Sequence, residues 1–482
     1  MIEAIRFNLS ASEYDIAKIR TTFLAKWSLR AKRLHQAELD LKLAMDPVVA
    51  CAVRAKRILL FEEMVIATGF PDPGVVDELR KGGELVGEIP ATGMLPGKLT
   101  PALSTLDELH NNATRIHGKV ERDVQSSGDA EVDNQVWQKT LSEVAEGWLV
   151  GPLENDDVPS WQSISKLFGL IQKKGKLRLI DDYTESGVNS CVTSVEAPVL
   201  HTVDIACAVL VLWFDACVDA GISLELLVRT FDLKSAYRQV GLSSSGRDHA
   251  CIRVFDPVSG KVRFFRSNVL PFGSIRSVHS FLRLSRAIWW IGVVGCRLVW
   301  TSFYDDFIAY SRPNLASNTE ATISNLFKLL GWAFAESGDK CVPFSSRCEA
   351  LGVSFDLGAS FEGRASICNT AGRVEELCAD LESVLQEGTL NCKQAQRLRG
   401  RMQFADAQLF GRTGKRCLKT LGDFSEGRRV KLQHKDRLFL RLFSSLLKQN
   451  GSPPSEVRGK DCPFIPNKVS CLWPFVRPKA LG

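Results

Sequence analysis

Residues 301–310, TSFYDDFIAY, set two adjacent acids, Asp305 and Asp306, inside an aromatic and aliphatic run. The flanks TSFY and FIAY have the character of short strands, which predicts a β-hairpin with the acids at its connection. Tight hairpins favour Asn-Gly or Asp-Gly where positive φ is needed, so turn chemistry alone does not account for the pair. Two carboxylates about 5 Å apart repel by roughly 3 kcal/mol at an effective dielectric of 20, so a cation should offset them. A divalent metal would do so, and Mg²⁺ takes hard carboxylate oxygens. Taken alone, an Asp-Asp pair is more often an exposed turn or one balanced by a neighbouring arginine.

The surrounding sequence shifts that balance. RTFDLKSAYRQVGL (229–242) reads as a strand ending at Asp232, then a turn and a helix start. A third carboxylate at a strand end beside the hairpin completes what two-metal phosphoryl chemistry requires, where two ions about 3.5–4 Å apart clamp the attacking and leaving oxygens. Between the two segments, NVLPFGSIRSVHSF (268–281) places a Pro and a Gly in a loop before a helix rich in Arg and Ser. Such a loop suits contact with a nucleotide or a template backbone.

The rest of the chain divides by character. Met1 to Asp46 holds no Gly or Pro, and Ser10 followed by Glu13 reads as a capping box ahead of a long basic helix. A second helix is expected from about Val48 to Thr68; GFPDPG (69–74) ends it, and EIPATGMLPGKLTP (88–101) reads as a linker. Residues 1–125 are therefore expected to form a separate helical region. From 126 to 365, short β-branched or aromatic runs alternate with helical ones, a mixed α+β plan with several hairpins. Residues 366–448 return to helical periodicity, and 393–448 carry fifteen Lys plus Arg against four acids, a local excess of +11 where the whole chain has +6. The tail, 449–482, has six prolines and is expected to be poorly ordered. Fourteen cysteines form no CxxC pair, which argues against a zinc site or disulfide framework and for reduced, intracellular thiols, with cytoplasm and nucleus not distinguished. Met1, Glu3 and Arg6 precede no apolar core of a signal peptide, and the apolar stretches 205–219 and 287–300 are short or broken by Asp215 and Arg297, so no membrane partner is expected.

Taken in order, these segments resemble the polymerase region of reverse transcriptases of retrotransposon type. FDLKSAYRQV is similar to the first palm motif, LPFGSIRSVHSF to the second and FYDD to the third, the family's aromatic-x-Asp-Asp box. LGWAFAESGDKC resembles the fourth, EALGVSFDL the fifth (a primer-grip hairpin), and GKLRLIDDYTESGVN the fingers signature. The resemblance covers roughly 160–360. It implies an α+β right-hand polymerase architecture, with fingers, a palm of antiparallel sheet and helices, and a helical thumb or connection, preceded by a helical N-terminal region. It implies RNA-directed DNA polymerase activity, with two Mg²⁺ ions (Mn²⁺ as an alternative), dNTPs, and an RNA template with a DNA or RNA primer. The oligomeric state stays open.

Carried onto this chain, the resemblance makes Asp232 and Asp305 metal-bridging carboxylates, with Asp306 in a less direct role. Lys340 would protonate or neutralise the pyrophosphate leaving group. Lys176 and Arg178 would hold the triphosphate, Tyr237 would crowd a ribose 2′-hydroxyl, and Phe272 and Gly273 would pack by the incoming nucleotide and templating base. In the basic segment, Arg397, Arg399, Arg401, Arg412, Lys415 and Arg416 would track phosphates. Phe303 stands where the family more often has Tyr, and SIRSVHSF lacks the Ala-Pro of many relatives. No RNase H, integrase, protease or zinc-knuckle pattern is visible, so the chain reads as a polymerase module. A catalytically silent nucleic-acid-binding remnant of such an element is the alternative.

Overall fold

The computed structural model of the 482-residue chain describes residues 1–154, 157–171, 177–338, 340–409, 414–448 and 455–458. Five helices open it: α1 (Ile2–Ser10), α2 (Glu13–Ala44), α3 (Pro47–Ala52), α4 (Ile58–Ala67) and α5 (Asp77–Arg80). Strands β1 (Gly87–Ile89) and β2 (Gly97–Thr100) occupy the stretch expected to be a linker. Helices α6 (Leu106–Asp123) and α7 (Ala130–Ala145) lead into β3 (Leu149–Leu153), β4 (Ile164–Ile171), β5 (Leu177–Asp181) and β6 (Val192–Glu196). Next come α8 (Val203–Ala220), β7 (Leu227–Asp232), α9 (Ser244–Asp248), β8 (Cys251–Asp256), β9 (Lys261–Ser267) and α10 (Ile275–Gly295). The hairpin β10 (Val299–Phe303) and β11 (Asp306–Ser311) is followed by α11 (Ala316–Leu330), β12 (Arg347–Ala350), β13 (Val353–Asp356) and β14 (Arg364–Asn369). Four helices, α12 (Ala371–Glu387), α13 (Cys392–Asp406), α14 (Lys415–Ser425) and α15 (His434–Lys448), precede β15 (Ser455–Arg458), the one described part of the 449–482 tail.

The expected mixed α+β plan is present, with four sheets among the described residues. In the three-stranded sheet β10-β11-β7 every pairing is antiparallel, and β11 is central. Both faces of β11 are covered: Phe307, Ile308, Ala309 and Tyr310 are all buried. Trp300 of β10 packs its ring 4.8 Å from that of Phe307 and 6.1 Å from Phe327 of α11. The five-stranded sheet β3-β9-β8-β4-β5 shows the period-two alternation of strands in which each face meets a different helix. Ile252, Val254 and Phe265 pack under Val136 and Trp137 of α7, whereas Cys251 and Phe264 pack under Val120 of α6. Helix α6 thus belongs with this sheet, not with the N-terminal region in which the expected boundary at 125 placed it.

Helices α1 to α5 are not separate either. Ala4, Ile5, Trp27, Phe61 and Met64 share one continuous core with Phe231, Phe281, Trp300 and Phe307. Helix α1 lies on α8, α2 on α11, and α4 on α10. The long second helix is capped two residues later than expected. Ser10 ends α1, and Ser12 caps α2 by accepting from the Asp15 backbone N–H at 3.1 Å.

A buried ionic latch fixes this docking. Arg283 of α10 donates from Nε and Nη2 to both oxygens of Asp72, at 2.7 and 3.0 Å, and from Nη1 to Glu78 at 2.5 Å. All three side chains are nearly excluded from solvent. The fork geometry of a guanidinium matches a carboxylate in this way, and removing one member strands the others without water. The four C-terminal helices, by contrast, close over their own core of Leu377, Leu381, Leu398, Met402, Leu421, Phe424, Leu440 and Phe443.

Arg283→Met is therefore expected to destabilise the chain by about 3–5 kcal/mol in urea unfolding. The triple replacement of Arg283 by Met, Asp72 by Asn and Glu78 by Gln should recover part of that loss; an equal or greater loss in the triple variant would show that the latch does not act as a unit.

Candidate functional site

The register of the β10–β11 hairpin decides where the acids lie. Phe303 pairs with Asp306, leaving Tyr304 and Asp305 as a two-residue connection. Asp306 opens β11 and stands directly across from Asp232, the last residue of β7. Only one acid is therefore in the turn, and the other is a strand residue. Tyr304 has φ of 52°, the left-handed region that a two-residue connection needs at its first position but that a bulky side chain enters at a cost of about 1–3 kcal/mol. The turn is bonded on both sides. The Tyr304 carbonyl accepts from Ser285 Oγ of α10 at 2.5 Å, and the Asp305 carbonyl accepts from the Leu233 N–H at 3.1 Å.

A residue without a sequence signal supports the hairpin from behind. His201 Nδ1 accepts from the Ser302 N–H at 3.0 Å, and its ring meets Trp289 edge-on at 4.7 Å. Burial holds this imidazole well below its usual pKa, so it is neutral and free to accept at Nδ1. A single histidine after Val199 and Leu200 offered nothing in the sequence to single it out.

Three carboxyls share one corner. Asp232 is buried, and Lys340 Nζ pairs with its Oδ1. Burial raises the pKa of Asp305; its own backbone N–H pulls the other way, Asp232 raises it further, and Lys340 and Arg178 oppose. Burial also raises that of Asp306, with Asp305 and then Asp232 adding to it against Lys340. The corner therefore holds more negative charge than its one paired lysine offsets. Among the described residues no three His, Cys, Asp or Glu side chains stand in a ready-made metal-binding cluster. The corner nevertheless fits a hard divalent cation in chemistry: its three acids are oxygen-only donors, and their mutual repulsion is offset only in part.

A cleft of about 680 Å³ opens beside this corner, lined by Asp232, Asp306 and Lys340 on one side and by the β12–β13 hairpin on the other. Leu351 and Gly352 at that hairpin's tip have φ of 51° and 73°, the pair of positive values of a type I′ turn. Backbone bonds between Val228 and Ser345, at 2.8 and 3.2 Å, tie the segment before the hairpin to β7.

Tyr237 lies in a short 3₁₀ turn, Ala236–Gln239, just beyond Asp232. Its ring stacks on Phe281 at 5.0 Å and meets Phe272 at 5.0 Å. Burial, then Tyr304 and Asp305, raise the pKa of its phenol, which places it in the field of the acid turn. Phe272 is half-exposed over it. Gly273 has φ of 94°, and a Cβ there would lie 2.2 Å from the Asp181 carbonyl of β5. The backbone of Gly273 is thus pressed against a strand of the five-stranded sheet. Asn189 locks the same loop, donating to the Gly273 carbonyl at 2.9 Å and accepting from the Ile275 N–H at 2.9 Å. It is a second residue that sequence reasoning passed over.

Arg178 is exposed on β5, and its charge reaches Asp305; Lys176 lies outside the described residues. In the basic segment Arg397 and Arg399 are exposed on α13, Arg399 donating to Ser425 Oγ at 3.3 Å. Arg401 pairs with Glu376, at 3.3 Å, and with Asp380, both on α12, so its charge is balanced inside the bundle. Lys415 is exposed at the start of α14, while Arg412 and the Arg416 side chain lie outside the described residues. Among the described residues no helix is long and apolar enough to cross a membrane.

No known protein family and no curated protein matches the chain in sequence. In three dimensions it is similar to the foamy viral protease-reverse transcriptase dRH in complex with double-stranded DNA, with 13% identity and a TM-score of 0.48, covering 82% of this chain and 60% of that one. It is similar to the foamy viral protease-reverse transcriptase in complex with double-stranded DNA at 14% identity and TM-score 0.46, covering 73% of each chain. A third structure, the same kind of protein in complex with an RNA/DNA hybrid, matches at 13% identity and TM-score 0.48, over 81% of this chain and 46% of that one.

The raised carboxyls make a stability prediction. A carboxyl whose folded pKa is raised favours folding at low pH, and that contribution is lost as pH rises through the folded pKa. Asp306→Asn removes the charge without changing shape. It should raise the melting temperature at pH 8 by about 2 °C, with the gain shrinking toward zero at acid pH. Calorimetry of both proteins across that range checks it; a gain that grows toward acid pH contradicts it.

Proposed function

We propose that the chain is a templated nucleotidyltransferase of the reverse-transcriptase kind, adding dNTPs to a primer 3′-hydroxyl. The observation that carries this reading is the cross-strand pair Asp306–Asp232, with Asp305 in the adjoining two-residue turn at the edge of an open cleft. The ordered set of motifs in the sequence supports it. An isolated acid turn would have no reason to face a third buried acid across a sheet.

In this reading Asp232 and Asp305 hold two divalent cations, Mg²⁺ or Mn²⁺, with Asp306 beside them. Bound there, such ions activate a 3′-hydroxyl as a nucleophile and stabilise charge on the departing pyrophosphate. The protein's own groups do the remainder. Lys340 is half-exposed and pairs with Asp232, and from there its ammonium would neutralise charge on the leaving phosphates. Arg178, whose charge reaches Asp305, would offer its guanidinium to the triphosphate. Tyr237, clamped between Phe281 and Phe272, presents a rigid aromatic wall against a ribose 2′-hydroxyl. The β12–β13 hairpin forms the far wall of the cleft, where a primer end would lie. Arg397, Arg399 and Lys415 supply exposed positive charge for a template–primer backbone.

Primer extension on an oligo-primed RNA template tests the reading. The wild-type protein should extend with dNTPs in Mg²⁺ or Mn²⁺, and Asp232→Asn or Asp305→Asn should lower the rate by about 10²–10³-fold or more. Folded wild-type protein that fails to extend under either ion sinks the proposal. Tyr237→Val should raise rNTP use relative to dNTP by about tenfold; an unchanged ratio removes Tyr237 from the gate role.

A further inference from the structure

The connection between α3 and α4 grips the segment that leads from α11 to Lys340. The Arg57 N–H donates to the Leu330 carbonyl at 3.3 Å, and Arg57 Nη1 donates to the Leu329 carbonyl at 2.5 Å. Gly331 has φ of 80°, and a Cβ there would lie 1.8 Å from the Ala55 carbonyl, so the two backbones touch. Lys42 of α2 braces the connection from outside, donating to the carbonyls of Arg54 and Lys56 at 2.9 and 2.7 Å.

Lys56 is the centre of this contact. It is 3% exposed, and its Nζ donates to Gln239 Oε1 at 2.6 Å and to the Gly331 carbonyl at 2.9 Å. The same ammonium lies 4.0 Å from the centre of the Trp332 ring. Gln239 closes the 3₁₀ turn that carries Tyr237, and its amide completes a clasp. Its Oε1 also accepts from the Ala333 N–H at 2.9 Å, and its Nε2 donates to the carbonyls of Lys234 and Ala333 at 2.6 and 2.9 Å. Two residues on, the Ala335 N–H donates to the Asp232 carbonyl at 2.9 Å. Among the described residues no carboxylate pairs with Lys56.

A buried ammonium without a counter-ion is a poor device for stability. Burial first, and then Lys42, lower the pKa of Lys56 to about 7. A lysine whose folded pKa is depressed opposes folding wherever it is still protonated, so a neutral side chain of the same length would hold the fold as well or better. What the ammonium does supply is a three-way link between the Tyr237 turn, the Trp332 loop and the N-terminal helices.

We propose that Lys56 is a positioning residue for the nucleotidyl-transfer centre, its ammonium fixing the register of the turn that carries Tyr237 against the loop that leads to Lys340. The N-terminal helices then form part of the working enzyme. This rests on the polymerase reading above, and its test has one arm that does not.

The variant Lys56→Met keeps the packing on Trp332 and removes the donors. In amide hydrogen exchange its segments 234–239 and 331–335 should lose protection while α8 and α10 keep theirs, with the melting temperature unchanged or higher. In primer extension its kcat for dNTP addition should fall by about tenfold while KM for template–primer stays constant. Unchanged exchange in those segments overturns the link whether or not the protein is a polymerase. Changed exchange with wild-type kcat in an active enzyme overturns the positioning role. Should wild type show no extension, the polymerase reading fails on that ground, and the exchange arm still decides the link. Lys56→Gln is read in the same way if the methionine variant does not fold.

Discussion

The pairing of β11 with β7 places Asp306 against Asp232, and the rest of the site follows from it. A strand buried on both faces cannot slip by one residue without driving Phe307 or Tyr310 out of position, so the register is strongly held. The hydrophobic core thereby enforces an arrangement that electrostatics opposes. Burial and mutual repulsion raise Asp305 and Asp306, and the one paired lysine covers only part of the deficit. Fold stability is given up locally at this corner.

The supports around that corner come from distant parts of the chain. Ser285 holds the Tyr304 carbonyl, His201 holds Ser302, and Leu233 holds the Asp305 carbonyl. None of these bonds contacts a reacting atom in the reading proposed. Together they make a strained turn tolerable, since a tyrosine at positive φ persists only where its neighbours leave it no alternative.

The hairpin, the strand ending at Asp232 and the β12–β13 hairpin were all legible in the sequence, because each depends on local alternation and turn chemistry. The placement of partners was not. Ser10 and Ser12 both precede an acid by three residues, and only the actual break between α1 and α2 selects Ser12. The backbone of Gly273 is pressed against the Asp181 carbonyl, 92 residues away in sequence and unreadable locally. Arg401 looked like one of a row of phosphate-seeking arginines, yet acids on α12 balance it. The N-terminal helices read as a separate unit because their apolar stripes do not say what they dock on; Asp72, Glu78 and Arg283 supply that answer in three dimensions.

The C-terminal helices have a core of their own, tied to the sheet of β12 to β14 by contacts such as Asn369 Nδ2 to the Ala405 carbonyl at 3.0 Å. Two cores in one chain mean two cooperative units. Heat or denaturant meets them as separate transitions, and the acid corner reports on that of the larger core alone. Both walls of the cleft, the acid corner and the β12–β13 hairpin, belong to the larger core, so loosening of the bundle leaves the shape of the cleft unchanged.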